Sequence, residues 1–191
     1  MKVVTLDTAD FNDACGRLLR CVKNRRINFD TLVGFATGGD YVAAEFDFPE
    51  TFSVKKQRPS TSSKQGIVAR ILPHLPTPLL DRLRILEARW LARSYGKINS
   101  DSVEPAMLPD ALRERLRSGA GKSVLVVDDA VDSGNTLLSV VKGIRIAAPD
   151  AEVHTAVMTQ TFPKPVIEPD VALWNDGTLI RFPWSKDAKQ K

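Results

Sequence analysis

Histidine and cysteine are nearly missing from this chain, with two of each in 191 residues. Cys15 and Cys21 stand six apart on a helical pattern, so they point to different sides and make neither a metal pair nor a local disulfide. As core or half-buried thiols they suit a reducing compartment. His74 lies in a proline-rich stretch and His154 in the middle of an apolar run, neither with a second His or Cys close by. That excludes a zinc site, and no Ser-His-Asp order appears. Long apolar runs are missing too. Met1-Lys2-Val3-Val4-Thr5-Leu6-Asp7 has no signal-like core and no later window approaches a membrane span, so a cytoplasmic chain with no membrane partner is expected. Aromatic residues make up 7% of the chain. None interleaves with Arg17, Arg20, Lys23, Arg25 and Arg26 on the first helical segment, so that basic face reads as solvated and no nucleic-acid partner is expected. The net charge of +4 suits small phosphorylated ligands. Charged and hydrophobic fractions of 26% and 43% are those of a globular protein, and one domain over 1–191 is the expectation.

What is present is concentrated between Val124 and Thr136, which reads V-L-V-V-D-D-A-V-D-S-G-N-T. Four apolar, mostly β-branched residues without alternation predict a strand buried on both faces, stopping at Val127. Asp128 and Asp129 then stand at its carboxyl end, and Asp132 to Thr136 form a small polar loop opening an amphipathic helix with Leu137, Leu138, Val140, Val141, Ile144 and Ala148, stopped by Pro149. Ligands of open α/β sheets bind beyond the carboxyl ends of the strands. A helix N-terminus there offers unpaired N–H groups to a phosphate. Gly134 lets the backbone approach, and the Ser133 and Thr136 hydroxyls add donors. Ionised carboxylates only accept hydrogen bonds, so Asp128 and Asp129 suit hydroxyl groups or a cation. The combination points to a sugar phosphate.

This stretch resembles the PRPP-binding motif of the type I phosphoribosyltransferases, and its D-S-G-N-T form most resembles the 6-oxopurine (xanthine, hypoxanthine, guanine) enzymes. The resemblance implies an α/β, Rossmann-like fold with a central, mostly parallel sheet flanked by helices. It assigns the ribose hydroxyls to Asp128 and Asp129, the 5′-phosphate to Asp132, Ser133, Gly134, Asn135 and Thr136, and a general-base role near purine N7 to Asp132. A second predicted strand, Thr31 to Ala36, runs into Thr37-Gly38-Gly39-Asp40 and a short helix from Tyr41 to Phe46. In the family the equivalent turn binds pyrophosphate through backbone amides, often around a non-proline cis peptide, which gives that role to Thr37, Gly38 and Gly39. Thr37 stands where the family usually has Arg or Lys.

Phe52-Ser53-Val54 reads as a strand leading into a basic, Ser/Thr-rich segment. The resemblance makes it a flexible loop that closes over the site and brings Lys55, Lys56 or Arg58, with Lys64, to the pyrophosphate. From Ile67 to Ala120 the pattern is helical, chiefly Pro78 to Ser94 and Pro109 to Ser118, and 67–120 is longer than the usual link; it reads as a helical insertion forming a lid, a hood or a dimer contact. Thr8 is the expected N-cap of the first helix. Val153 to Met158 is a further strand. Val171 to Trp174 and Leu179 to Phe182 flank Asn175-Asp176-Gly177-Thr178, which predicts a C-terminal hairpin. P-D before it and F-P-W after it resemble the end of xanthine/hypoxanthine-type enzymes, making 160–191 the base-recognition segment. Leu179 stands where those enzymes place an aromatic ring, and Phe162 where they place a base-reading Lys, with Gln160 and Lys164 nearby.

The implied activity is transfer of the phosphoribosyl group from PRPP, with Mg²⁺, to a purine-like nucleobase with release of pyrophosphate, by a homo-oligomer, a dimer in the simplest case. The metal is expected to ride on PRPP oxygens and waters, with no protein ligand named. Two alternatives stay open: a non-catalytic PRPP or nucleotide sensor, and transfer to a non-standard base.

Overall fold

The run expected to be buried on both faces is the centre of the sheet. The structure is a computed structural model that describes residues 1–55, 76–95 and 99–185. In chain order its elements are β1 (Val3–Thr5), α1 (Thr8–Asn24), β2 (Thr31–Phe35), α2 (Gly38–Ala44), β3 (Thr51–Val54), α3 (Thr77–Tyr95), α4 (Asp110–Arg117), β4 (Ser123–Val131), α5 (Asn135–Ala147), β5 (Glu152–Gln160), β6 (Val171–Trp174) and β7 (Leu179–Arg181), with a 3₁₀ turn at Ser100–Ser102. Five strands form one parallel sheet in the order β3-β2-β4-β5-β6.

Side chains of β4 alternate between two cores. Leu125 and Val127 join Phe11, Cys15, Leu18 and Val22 of α1 and Val42 of α2. Val124 and Val126 join Leu112 and Leu116 of α4 and Leu137, Val140 and Ile144 of α5. Helices therefore cover both faces, as a parallel sheet requires. Each such aliphatic side chain taken out of water contributes about 1.5–3 kcal/mol.

Three boundaries differ from the sequence expectation. The cap of α1 is Asp7, whose carboxylate accepts from Asp10 N–H at 2.9 Å, and Thr8 is the first helical residue. α2 begins at Gly38 rather than Tyr41, so the two glycines lie inside the helix. β4 does not stop at Val127: its pairing with β2 ends at Gly34↔Val127, while its pairing with β5 continues to Val131↔Gln160. Asp128 and Asp129 thus sit where β4 has lost one neighbour and kept the other.

The C-terminal hairpin is replaced by a different connection. β6 is the edge of the five-stranded sheet, and β7 pairs in parallel with β1 in a separate two-stranded sheet, Val3↔Leu179 to Thr5↔Arg181. The Asp-Gly turn is present, with Gly177 at φ +74° and the Asp176 carboxylate held by the Thr178 N–H at 3.1 Å and by its hydroxyl. A turn signal fixes the bend and not the partner of the strand that follows. Here Leu179 N–H donates to Lys2 O at 2.8 Å, and the N-terminal strand, unforeseen in the sequence, takes the pairing.

α3 lies on this small sheet. Its Asp81 pairs with Arg181 of β7 at 2.7 Å, and its Arg84 Nη1 donates to Ile180 O at 2.9 Å. Together α3, β1 and β7 form a cover beside the carboxyl ends of the main sheet.

Candidate functional site

β4 presents its acids at the point where β2 turns away into α2. The Ala36–Thr37 peptide bond is cis, and Gly38 packs directly on Asp129, since a Cβ added to Gly38 would stand 1.9 Å from Asp129 Oδ2. A Cβ on Gly39 would meet Val127 O at 2.5 Å. Neither glycine has a positive φ; both serve close helix-to-strand approach rather than an unusual backbone shape.

Asp128 is 6% exposed, and its Oδ1 accepts from Asp129 N–H at 2.9 Å. Burial pushes the Asp129 carboxyl above the usual carboxylate range, with the charge of Asp132 adding repulsion and hydrogen bonds from Asp128 and Ala130 opposing the rise. Asp132 itself is exposed. At Gly134 the chain takes φ +81° and α5 starts without a side-chain cap. Its first amides accordingly have no intrahelical partner. Ser133 Oγ accepts weakly from Asn135 N–H at 3.4 Å, and Val166 N–H holds Ser133 O at 2.8 Å. Asn135 Oδ1 is buried without a hydrogen-bond partner. A buried acceptor in this state costs free energy until a donor arrives.

These residues surround one cavity of about 680 Å³, lined by Thr37, Gly38, Asp128, Asp129 and every residue from Ala130 to Leu137, with Leu91 and Trp184 closing it from the cover. Of the positions singled out in the sequence, the structure brings together Thr37, Gly38, Asp128, Asp129, Asp132, Ser133, Gly134, Asn135 and Thr136. Gly39 lies beneath the wall rather than in it. Lys55 follows β3 as an exposed residue away from the lining, while Lys56, Arg58 and Lys64 fall outside the described residues.

A second cavity of about 400 Å³ shares Leu91, Asp129, Ala130, Asp132 and Trp184 with the first and contains both Phe162 and Leu179. Its other walls were not foreseen. Arg84, Glu87 and Leu91 come from α3, and Trp184 from the chain end. Trp184 is stacked between Tyr41 at 4.4 Å and Phe182 at 4.9 Å, with Phe11 edge-on at 5.0 Å. The F-P-W ending was the available signal, but nothing local says that α2 supplies the facing ring.

No cation lines the larger cavity among the described residues. Its donor set is carboxylate oxygen, hydroxyl and amide, a hard, acidic surface that fits a hard divalent ion better than a bare polyanion. No cluster of three or more His, Cys, Asp or Glu able to hold a metal occurs among the described residues.

Comparison with known proteins agrees with this geometry. The fold is similar to purine phosphoribosyltransferase from Pyrococcus horikoshii (18% identity, 100% of this chain and 99% of that chain, TM-score 0.58) and to Helicobacter pylori xanthine-guanine-hypoxanthine phosphoribosyltransferase (19%, 95% and 92%, TM-score 0.55). It is also similar to a hypothetical protein from Neisseria gonorrhoeae with bound ppGpp (17%, 96% and 90%, TM-score 0.57). At these identities the likeness is one of fold. The phosphoribosyl transferase domain family matches residues 6–164; most of the chain is covered, the match takes in both loops and the paired acids, and the chain belongs to that family of transferases.

Proposed function

We propose that the protein transfers the 5-phosphoribosyl group of PRPP to a purine-like base with release of pyrophosphate. The observation that carries this is the juxtaposition in one cavity of an uncapped helix start, the adjacent acids Asp128, buried, and Asp129, half-buried, and the cis Ala36–Thr37 turn, with a second cavity opening beside Asp129 and Asp132.

The amides of Asn135 to Leu137 and the Ser133 and Thr136 hydroxyls hold the 5′-phosphate, and Asp128 and Asp129 accept from the ribose 2′- and 3′-hydroxyls. Backbone groups of Thr37 and Gly38 face the pyrophosphate. Holding both ends of the sugar fixes C1 against the acceptor, and such alignment is worth several kcal/mol of barrier. Asp132, exposed at the junction of the two cavities, takes the proton from the base as its nitrogen attacks. Trp184 and Leu91 keep water from the forming bond. Asp128 and Asp129 would hold Mg²⁺ through its waters and the ribose hydroxyls, and a bound ion supplies charge compensation to the leaving pyrophosphate.

We place the protein in the cytoplasm, with PRPP and a nucleobase as its small-molecule partners and a second copy of itself as its assembly partner. The outward stripe of α3 supports the last: Leu79, Leu83, Leu86 and Trp90 are 42%, 44%, 60% and 65% exposed at the four-three-four spacing that meshes with its own image across a two-fold axis. A single domain with 67–120 as insertion and 160–191 as acceptor segment is retained on the same footing.

The absence of a cation among the described residues of the larger cavity favours one competing reading, a sensor that binds PRPP or a nucleotide without turnover. Pyrophosphate release from PRPP with Mg²⁺ across a panel of nucleobases separates the two. Base-dependent release that falls steeply in Asp132→Asn supports transfer. PRPP binding with no release from any base supports the sensor.

A further inference from the structure

The excess positive charge of the chain has a place in the fold that neither cavity uses. Arg17, Arg20, Lys23, Arg25 and Arg26 occupy the second half of α1 and the turn after it, and no acid stands between Asp13 and Asp30. These five cations outnumber the net charge of +4 carried by the whole chain. All five are exposed. None of them makes an ion pair with a described residue, although Asp10 and Asp13 lie on the same helix. A helix dipole favours cations in the last turn, and only Lys23 stands there. Arg17 lies about two turns before the end, and Arg25 and Arg26 lie past it.

The fold holds this cluster in place. Arg26 N–H donates to Lys23 O at 2.9 Å and Ile27 N–H to Val22 O at 3.3 Å, with Arg26 at φ +57°. That left-handed position after a helix is usually glycine or asparagine, and here it carries an arginine. The sequence places no aromatic ring among these cations, but β6 brings one: Arg17 Cζ lies 5.6 Å from the centre of the Trp174 ring. A guanidinium over an aromatic face is held flat against it. Past the turn, Asn28 O accepts from Ser123 Oγ at 2.6 Å, which fixes the end of the cluster beside the first residue of β4. Asp128 lies farther along the same strand, about 16 Å away at the usual rise per residue. The cluster is therefore at the opposite edge of the sheet from both cavities.

We infer that this end of α1 is a docking surface for a single-stranded nucleic acid, held through its phosphodiester backbone. All but one of the five cations are arginines, whose planar forks grip phosphate oxygens in pairs. A protein partner needs an apolar centre to the patch, and a bilayer needs apolar side chains to insert. None of the large exposed apolar side chains among the described residues lies on α1 or in the turn after it. The surface presents charge and the exposed amides of Asn24 and Asn28 instead. Arg17, with Trp174 against one face of its guanidinium, offers the other face to an unpaired base. The surface and the cavities are separate, so a strand can be held while the site is occupied.

The test is fluorescence anisotropy of the full chain with a labelled, mixed-sequence single-stranded RNA of about 16 nucleotides, the upper site size of a single-strand-binding fold. A dissociation constant of about 10 µM or tighter is expected near 0.15 M salt, with log affinity falling against log salt at a slope of about −2 to −3.5 as three to five phosphates are neutralised. Arg20→Gln with Arg25→Gln should weaken binding about tenfold or more and flatten the slope by about 1.4. Circular dichroism and calorimetric PRPP binding should not change, since both side chains are exposed and distant from the cavities. Arg82→Gln with Arg89→Gln removes the same charge from exposed positions on α3 and should leave RNA binding at the parental level. Weaker binding than about 10 µM, an equal loss in the α3 control, or displacement of the RNA by polyglutamate at matched charge overturns the inference, while PRPP binding keeps the proposed function standing. RNA binding without PRPP binding removes the proposed function and leaves this surface standing.

Discussion

Gly38 and Asp129 are in contact to the exclusion of any side chain between them: an added Cβ would overlap the carboxylate at 1.9 Å from Oδ2 and 2.1 Å from Cγ. The position of the acid proposed to face ribose is thereby tied to the turn proposed to face pyrophosphate. Gly38→Ala must push Asp129 or α2 aside, at a cost of about 1–3 kcal/mol of stability, the usual range for overpacking. PRPP affinity should fall tenfold or more, read by calorimetry. An Ala variant with parental PRPP affinity would show that the contact does not position the acid.

Asp129 also makes stability depend on pH. Its carboxyl is raised above the ordinary value of 3.8, by burial first and by Asp132 in addition. As pH rises past the ordinary value, the unfolded chain ionises before the folded one, so the folded state binds more protons and stability falls until the folded pKa is passed. The penalty then stays constant. Asp129→Asn removes it, so the melting temperature should gain more at neutral than at strongly acidic pH, while ribose binding weakens. PRPP affinity of the parent protein should rise with pH across the same window, because the hydroxyls and the metal select the ionised acid. A substitution whose thermal effect is the same at both pH values would contradict this.

Arg181 is 2% exposed and bonds Thr5 Oγ1 at 2.8 Å and Asp81 Oδ1 at 2.7 Å, joining β7 to β1 and to α3. Removing a buried partner from such a pair costs about 3 kcal/mol or more, the half-exposed Asp81 setting the lower end. Arg181→Leu should lower the melting temperature by several degrees, roughly 4–8 °C per kcal/mol at most for small domains and less here. It should raise the KM for the base more than that for PRPP, since α3 walls the smaller cavity, the proposed acceptor site. Equal effects on both substrates would mean that the cover does not shape acceptor binding.

The stripe on α3 predicts an assembly state. Leu83→Glu with Leu86→Glu should give a monomer by light scattering while the fold, followed by circular dichroism, persists, because both side chains point outward. A parental protein that is already monomeric at high concentration removes this surface from the account.

The sheet centre and the loop that opens α5 were legible in the sequence because their signals are local. Val124 to Val127 lack alternation, and Asp132 to Thr136 are small and polar ahead of a periodic helix. The need for glycine at Gly38 and Gly39 was not legible locally: it is spatial, set by Asp129 and Val127 some ninety residues away. The Asp176-Gly177 turn was foreseen, but the pairing of Leu179 with Val3 is a tertiary choice that no turn residue encodes. The walls contributed by α3 and Trp184 were missed for the same reason. Arg84, Glu87 and Leu91 look like any amphipathic helix until Arg181 and Ile180 are seen to dock it over the acids.

The most direct measurement is titration of the full-length chain with ribose 5-phosphate and with PRPP in the presence of Mg²⁺, compared with Thr136→Val and Asp128→Asn. The account predicts saturable heat for both ligands, weakened for both in Thr136→Val, which loses a phosphate donor, and in Asp128→Asn, which loses a hydroxyl acceptor. Absence of heat with either ligand, or binding indifferent to both substitutions, would contradict it.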